Sequence, residues 1–228
     1  VNDPYAWLLQ KDDPETIPYL TSENNFADAW FQQHEDTSEA IFQEIKSRVN
    51  EDDSSYPVLH RGWWYTSRTE TGKSYAIHSR GQTVDTATLH ILLDENVEAA
   101  DSDYFSLSAF DVSNSGLLLA WSSDTDGGEM YTLRVRDITT GKELADEIPN
   151  TTWGGTAWST DDQWLFYVTA DEAMRPDKVW RHRIGTPAKD DDVVLHEPDE
   201  RFFVGVGASR SGEWIIIDSS SKTSSECW

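Results

Sequence analysis

The chain has 228 residues and a net charge of −24, from 42 acidic against 18 basic side chains, a field that repels phosphate backbones and argues against nucleic acid and anionic membrane as partners. With 37% hydrophobic and 26% charged residues it can bury a core, as one large domain or a domain plus part of another. A single cysteine, Cys227, precludes an intrachain disulfide and a Cys-rich zinc site, and no run approaches the roughly 18 apolar residues of a spanning helix.

Val1-Asn2-Asp3-Pro4 lacks the basic and apolar regions of a signal peptide, so a cytoplasmic location is expected. Asp12-Asp13-Pro14-Glu15 reads as a helix start, with acidic residues and an early proline near the positive end of the dipole. Ile17, Tyr19 and Leu20 follow, then Phe26, Ala29, Trp30 and Phe31. Thr37-Ser38 precedes Ile41, Phe42, Ile45 and Val49, which fall on one helical face and form a stripe that packs on something else. Residues 1–52 are therefore read as a helical segment, and 53–228 as a separate domain.

From about residue 56 the period changes. Eleven tryptophans and eight tyrosines favour pleated surfaces, and short runs rich in Trp, Tyr, Val and Ile alternate with Gly, Asp, Asn and Ser clusters. Residues 63–66 and 75–78 flank Thr71-Gly72-Lys73, a hairpin signal. The runs 117–122 and 130–136 flank the acidic loop 124–128, and 164–169 and 179–183 flank a longer loop containing Arg175-Pro176-Asp177.

Three segments repeat: Phe110-Asp111-Val112-Ser113, Thr156-Ala157-Trp158-Ser159 and Val206-Gly207-Ala208-Ser209 each lead through a tight turn into a strand. The anchoring serines, Ser113, Ser159 and Ser209, lie 46 and 50 residues apart, the spacing of propeller blades with about four strands each. Three or four such units fit before Trp228, and propellers close with about four to eight. The expected fold is mainly β: the first three to four blades of an incomplete β-propeller behind a short helical segment. With its Val1 start and its end at Trp228, the chain reads as cut at both ends.

Candidate chemistry is sparse. Gly207-Ala208-Ser209-Arg210-Ser211 approaches the Gly-x-Ser-x-Gly nucleophile elbow, but Ser211 replaces the second glycine, a strand rather than a helix follows, and the segment coincides with the repeated turn. Gly205-Val206-Gly207 lacks the third glycine and the helix of a dinucleotide loop. Asp124, Asp126 and Glu129 lack EF-hand spacing, so they read as a solvated hairpin tip, as does Asp190-Asp191-Asp192. No two of His34, His60, His78, His90, His182 and His196 have metal-site spacing, and His78 and His182 read as structural. Trp180, His182 and Ile184 alternate with Arg181 and Arg183 as in a half-exposed strand. No catalytic, cofactor-binding or metal residue is assigned, and no cofactor is expected.

Asp3-Pro4-Tyr5-Ala6-Trp7-Leu8, with Tyr19-Leu20 and Glu23-Asn24, resembles the amino-terminal signature of the prolyl oligopeptidase family. Glu51-Asp52-Asp53-Ser54-Ser55, Trp63-Trp64-Tyr65, Gly72-Lys73-Ser74-Tyr75 and Asp124-Thr125-Asp126-Gly127-Gly128-Glu129-Met130-Tyr131 are similar to its oligopeptidase B subgroup. So are Trp153-Gly154-Gly155-Thr156-Ala157-Trp158-Ser159, Arg175-Pro176-Asp177-Lys178-Val179-Trp180 and the serine-rich stretch 219–226. The resemblance implies a seven-bladed propeller joined to a C-terminal α/β-hydrolase domain, against which the leading helices pack. It implies a serine-type oligopeptidase cleaving short basic peptides after Lys or Arg, with its Ser, Asp and His beyond Trp228, so that this segment gates and scaffolds but does not cut. The acidic balance fits cationic substrates. Two other readings stay open: a stand-alone propeller that binds a protein or peptide, which has no need of amphipathic helices before its first blade, and another family member, a prolyl oligopeptidase or an acylaminoacyl peptidase.

Overall fold

A computed structural model describes residues 3–228; Val1 and Asn2, the start of the stretch inspected for a leader, lie outside the described residues. The chain divides into two compact units, 1–51 and 52–228.

In the first unit a 3-10 turn, Ala6–Leu9, precedes helices α1, Thr16–Gln32, and α2, Glu35–Lys46. The α1 entrance is held by Asp13, whose carboxylate accepts the Glu15 N–H at 2.9 Å, and by the buried Thr16 hydroxyl, which donates to the Gln10 carbonyl at 3.0 Å. Trp7 and Tyr19 meet edge to face at 5.4 Å. Helix α2 contains Thr37-Ser38 within it and opens with Glu35 and Asp36, which suit the first turn, where free N–H groups face negative charge. It ends at Lys46, which leaves Val49 outside it, while Ile41, Phe42 and Ile45 lie along it as exposed side chains.

The second unit is built from antiparallel strands. A four-stranded sheet runs in chain order through β1, Val58–His60; β2, Trp63–Arg68; β3, Ile77–Gly81; and β4, His90–Asp94. A one-turn helix α3, Glu95–Glu98, capped by Asp94, leads out of it. Seven strands follow in a second sheet: β5, Ser106–Val112; β6, Leu118–Asp124; β7, Tyr131–Asp137; β8, Lys142–Trp158; β9, Trp164–Ala170; β10, Pro176–Arg183; and β11, Asp192–His196. The third sheet holds β12, Phe203–Ala208; β13, Ile215–Ser220; and β14, Ser225–Cys227.

The seven-stranded sheet is two blades sharing one strand. The first half of β8 pairs with β7 and its second half with β9, with Thr151 facing Tyr131 on one side and Thr169 on the other. Asn150 at φ +59° and the register shift between Thr151 and Thr156 turn the strand between its two partners. Blade one is thus β1–β4, blade two β5–β7 with the start of β8, blade three the end of β8 with β9–β11, and blade four β12–β14.

Strand alternation explains how the blades stack. Leu119 and Trp121 of β6 point to one face and join Leu92, Leu93 and Phe105 in the seam between blades one and two. Ala120, between them in sequence, points to the other face, into the seam of Leu133, Val135 and Ile148 with Trp158, Leu165 and Tyr167. Ala157, Val168 and Val179 then meet Val204, Val206 and Ile217 between blades three and four. Central strands buried on both faces need apolar residues at nearly every position, as in Leu118–Asp124, where every residue from Leu119 onward is buried.

The three serine turns have one hydrogen-bond pattern. Ser113, Ser159 and Ser209 donate their N–H to the carbonyls of Leu118, Trp164 and Trp214, and their hydroxyls accept the N–H of the same three residues. The left-handed position of each turn is Gly116, Asp162 or Gly212, with φ of +75°, +57° and +77°. Neighbouring turns are joined: the Asp162 carboxylate accepts the N–H groups of Asn114 at 2.7 Å and Ser115 at 2.9 Å, and Asn114 Nδ2 donates to the Ser159 carbonyl at 2.7 Å. Trp158 Nε1 donates to the Asp111 carbonyl at 3.0 Å. These units form successive sectors about one axis, an incomplete β-propeller.

Candidate functional site

The first strand of each blade contributes to one cavity of about 440 Å³ at that axis. Blade one supplies His60 and Arg61, blade two Asp111 at the end of β5, blade three Thr152 and Trp153 of β8, and blade four Arg210 after β12. Arg61-Gly62 is a two-residue hairpin turn between the paired His60 and Trp63, with φ of +48° and +81°. Such turns favour Asn-Gly, so an arginine at the first position carries backbone strain.

Burial pushes the Asp111 carboxyl up to about 6, against the opposing pull of the Arg61 guanidinium and a hydrogen bond from Thr156. His60 is lowered, first by burial and then by the positive charge of Arg61. Burial dominates both shifts, and the positive charge of Arg61 pulls each group downward. Asp111 binds its proton more tightly folded than unfolded, so its contribution to stability is present below about pH 4 and lost as pH rises through about 6. Asp111→Asn should accordingly raise stability at pH 7.5 by up to about 3 kcal/mol, and the advantage should vanish towards pH 4. Urea unfolding at both pH values checks this; an equal effect at the two would contradict it.

The motifs singled out in the sequence have other roles. Ser209 is bonded within its turn, with its hydroxyl 3.1 Å from that of Ser211, and the chain continues into strand β13. Gly205 and Gly207 lie within β12, paired with Asp218 and Ile216. Asp126 and Glu129 are exposed as a solvated tip requires, but Asp124 is 2% exposed, which corrects that expectation for this residue alone. Burial would raise its carboxyl, but the N–H groups of Asp126, Glu129 and Gly127 outweigh this and hold it below the usual range. The carboxylate thus closes the loop, since several backbone donors crowd one anion.

In Asp190-Asp191-Asp192 the outer two residues are exposed as expected, and Asp191 alone is corrected. The Asp191 side chain is 1% exposed, and its oxygens lie 2.8 Å from His182 Nδ1 and 3.0 Å from the Tyr167 hydroxyl, which donates to it. His182, 0% exposed, places Nε2 2.8 Å from Asp146 Oδ1, which also accepts the Gly185 N–H. Burial, and then the charge of Asp191, push the Tyr167 hydroxyl up, so it remains a donor. His78 Nε2 lies 2.6 Å from Glu95 Oε1. Both histidines hold strands to neighbouring segments. Sequence reading missed the cavity residues Arg61 and Asp111; the Arg61-Gly62 dipeptide before Trp63 was the available turn signal.

Stacked antiparallel sheets about an axial cavity, preceded in sequence by a helical segment, define a propeller-domain protein. The model of the prolyl oligopeptidase N-terminal β-propeller domain matches residues 1–228, and the chain belongs to that family as its amino-terminal portion. It is 35% identical to dipeptidyl aminopeptidase BI of Pseudoxanthomonas mexicana, over 99% of this chain and 34% of the relative. It is 34% identical to protease 2 of Moraxella lacunata, over 98% of this chain and 33% of the relative. Oligopeptidase B from Leishmania major superposes with a TM-score of 0.89 at 29% identity, covering 99% of this chain and 32% of that one. The chain thus spans about a third of the length of the curated relatives it matches.

Proposed function

We propose that the chain is the propeller portion of an oligopeptidase B-like serine peptidase, located in the cytoplasm, that cleaves short peptides after Lys or Arg. The observation that carries this reading is the match of 99% of the chain to oligopeptidase B from Leishmania major at a TM-score of 0.89 and 29% identity. In this reading helix 35–46 presents Ile41, Phe42 and Ile45 to a C-terminal α/β-hydrolase domain, whose serine, histidine and aspartate perform acyl transfer. The histidine acts as general base, and oxyanion-hole donors stabilise the tetrahedral intermediate. The propeller covers that site and admits only short or unfolded peptides. The net charge of −24 draws cationic substrates towards it.

The test is hydrolysis of chromogenic peptides by the complete reading frame that contains this segment. A blocked arginyl or lysyl peptide should be cleaved with kcat/KM at least about 100-fold above a blocked prolyl one, as expected where a buried charge must be paired. Residues 1–228 alone should cleave neither. Release of dipeptides from unblocked substrates only, the activity in the name of the Pseudoxanthomonas relative, would refute the endopeptidase reading.

A further inference from the structure

We infer that the axial cavity is a binding site for the terminal carboxylate of a peptide, received between Arg61 of blade one and Arg210 of blade four. Both guanidinium-bearing residues line the cavity, and neither forms an ion pair among the described residues. Elsewhere in this acidic chain Arg68, Arg136, Arg175 and Arg201 each have a carboxylate partner, at 3.2, 2.8, 2.9 and 2.5 Å. Arg80 and Arg183 also lack a carboxylate within reach among the described residues, so it is the convergence of Arg61 and Arg210 on one concave space that marks a positive spot in a negative protein. Guanidinium forks recognise carboxylates through paired, charge-assisted hydrogen bonds.

Three further observations point to a ligand. Arg61 keeps a left-handed backbone, φ +48°, in the hairpin that aims its side chain across the axis. A Cβ on Gly212 would stand 2.9 Å from Arg61 Nη2, so the guanidinium of blade one lies against the turn of blade four. The Thr152 hydroxyl, in a residue 5% exposed, has no hydrogen-bond partner and belongs to the cavity lining.

The surroundings favour a peptide over a bare anion. Trp153, 53% exposed, offers a flat apolar face for the side chain next to the carboxylate.

Asp111 gives the site a pH response. It is faced by His60 and Arg61 from blade one, Thr156 from blade three and Arg210 from blade four. Its carboxylate opposes the ligand at neutral pH and loses its charge as pH falls through about 6, and His60 gains charge on the same side of the balance. Binding should tighten between pH 7.5 and pH 5, until the ligand's own carboxylate protonates at roughly 3.5.

The site rests on the peptidase reading for its purpose but not for its measurement, because binding is read without turnover. Isothermal titration of the intact polypeptide with acetyl-alanyl-alanine should give binding at least about tenfold tighter than with the corresponding amide, the worth of a charged hydrogen-bond pair. Arg61→Ala and Arg210→Ala, checked by circular dichroism to be folded, should each weaken binding about tenfold or more. Asp111→Asn should tighten it at pH 7.5 and flatten the pH profile. Equal binding of acid and amide, or indifference to both arginine substitutions, overturns the inference. Inorganic phosphate binding as tightly as the peptide acid overturns it too, as a plain anion hole. Loss of arginyl-peptide cleavage with binding intact would refute the peptidase reading instead.

Discussion

Replacing His182 with leucine is expected to cost about 3–5 kcal/mol of unfolding free energy, the loss typical when one partner of a buried ionic group is removed. The imidazole sits between Asp191 Oδ1 and Asp146 Oδ1, both at 2.8 Å, with side-chain exposures of 0%, 1% and 2% for the three residues. A neutral imidazole has a single N–H, so satisfying both contacts requires a second proton, on the ring or on a carboxyl. Leucine supplies neither. Asp146 would keep only the Gly185 N–H and Asp191 only the Tyr167 hydroxyl, two carboxylates buried together without a cation.

The geometry also says where the damage appears. His182 is on β10, Asp146 on the first half of β8, and Asp191 in the connection to β11, so the cluster ties the outer strand of blade two to blade three. Hydrogen exchange should accelerate first along 142–148 and 188–196. A companion variant that also carries Asp146→Asn and Asp191→Asn removes the stranded charges and should regain at least half of the loss. It remains readable even if the leucine variant does not fold. A cost below about 1 kcal/mol for leucine alone, in urea titrations at pH 7, would mean that the cluster is solvated in solution.

Much of the β architecture could be read from residues because it depends on local rules. The alternation in Tyr131–Asp137 and the Gly-containing turns are encoded within a few neighbours, and the Ser113, Ser159 and Ser209 turns show themselves by repetition. Strand β8 was harder. Glu143, Asp146, Glu147, Pro149 and Asn150 give its first half the composition of a loop, yet it is an outer strand, with Asp146 buried because His182 waits 36 residues further on. Asp191 and Asp124 misled for the same reason: an acidic run resembles a solvated tip unless the buried donors around it are known. The cavity was out of reach altogether. Arg61, Asp111, Thr152 and Arg210 come from four blades, and no periodicity relates one to another. Their meeting is a property of how the blades curl about one axis, which the blade repeat predicts only in outline.

The seam between blades three and four is also sensitive to a single methyl group. Gly155 lies in the second half of β8 at φ +93°, and a Cβ built there would stand 2.3 Å from the carbonyl oxygen of Val206 on β12. That oxygen belongs to a paired strand, with Val206 opposite Ile217, and cannot swing aside as a side-chain tip would. Gly155→Ala therefore adds backbone strain of about 1–3 kcal/mol and an overpacking cost of about 1–3 kcal/mol at the seam of Ala157, Val168, Val204 and Val206. A total near 4 kcal/mol is expected, concentrated on one interface. Blade four has three strands and the thinnest seam, so it should detach before the other blades unfold, with amides of 203–220 exchanging early while those of 118–124 stay protected. Gly185→Ala is the matched control: its φ is +85°, but nothing lies within 4 Å of the added carbon, so it bears the strain without the collision. If the two alanine variants lose the same stability, close approach of blades three and four is not what requires glycine at residue 155, and the packing of that seam has to be rethought.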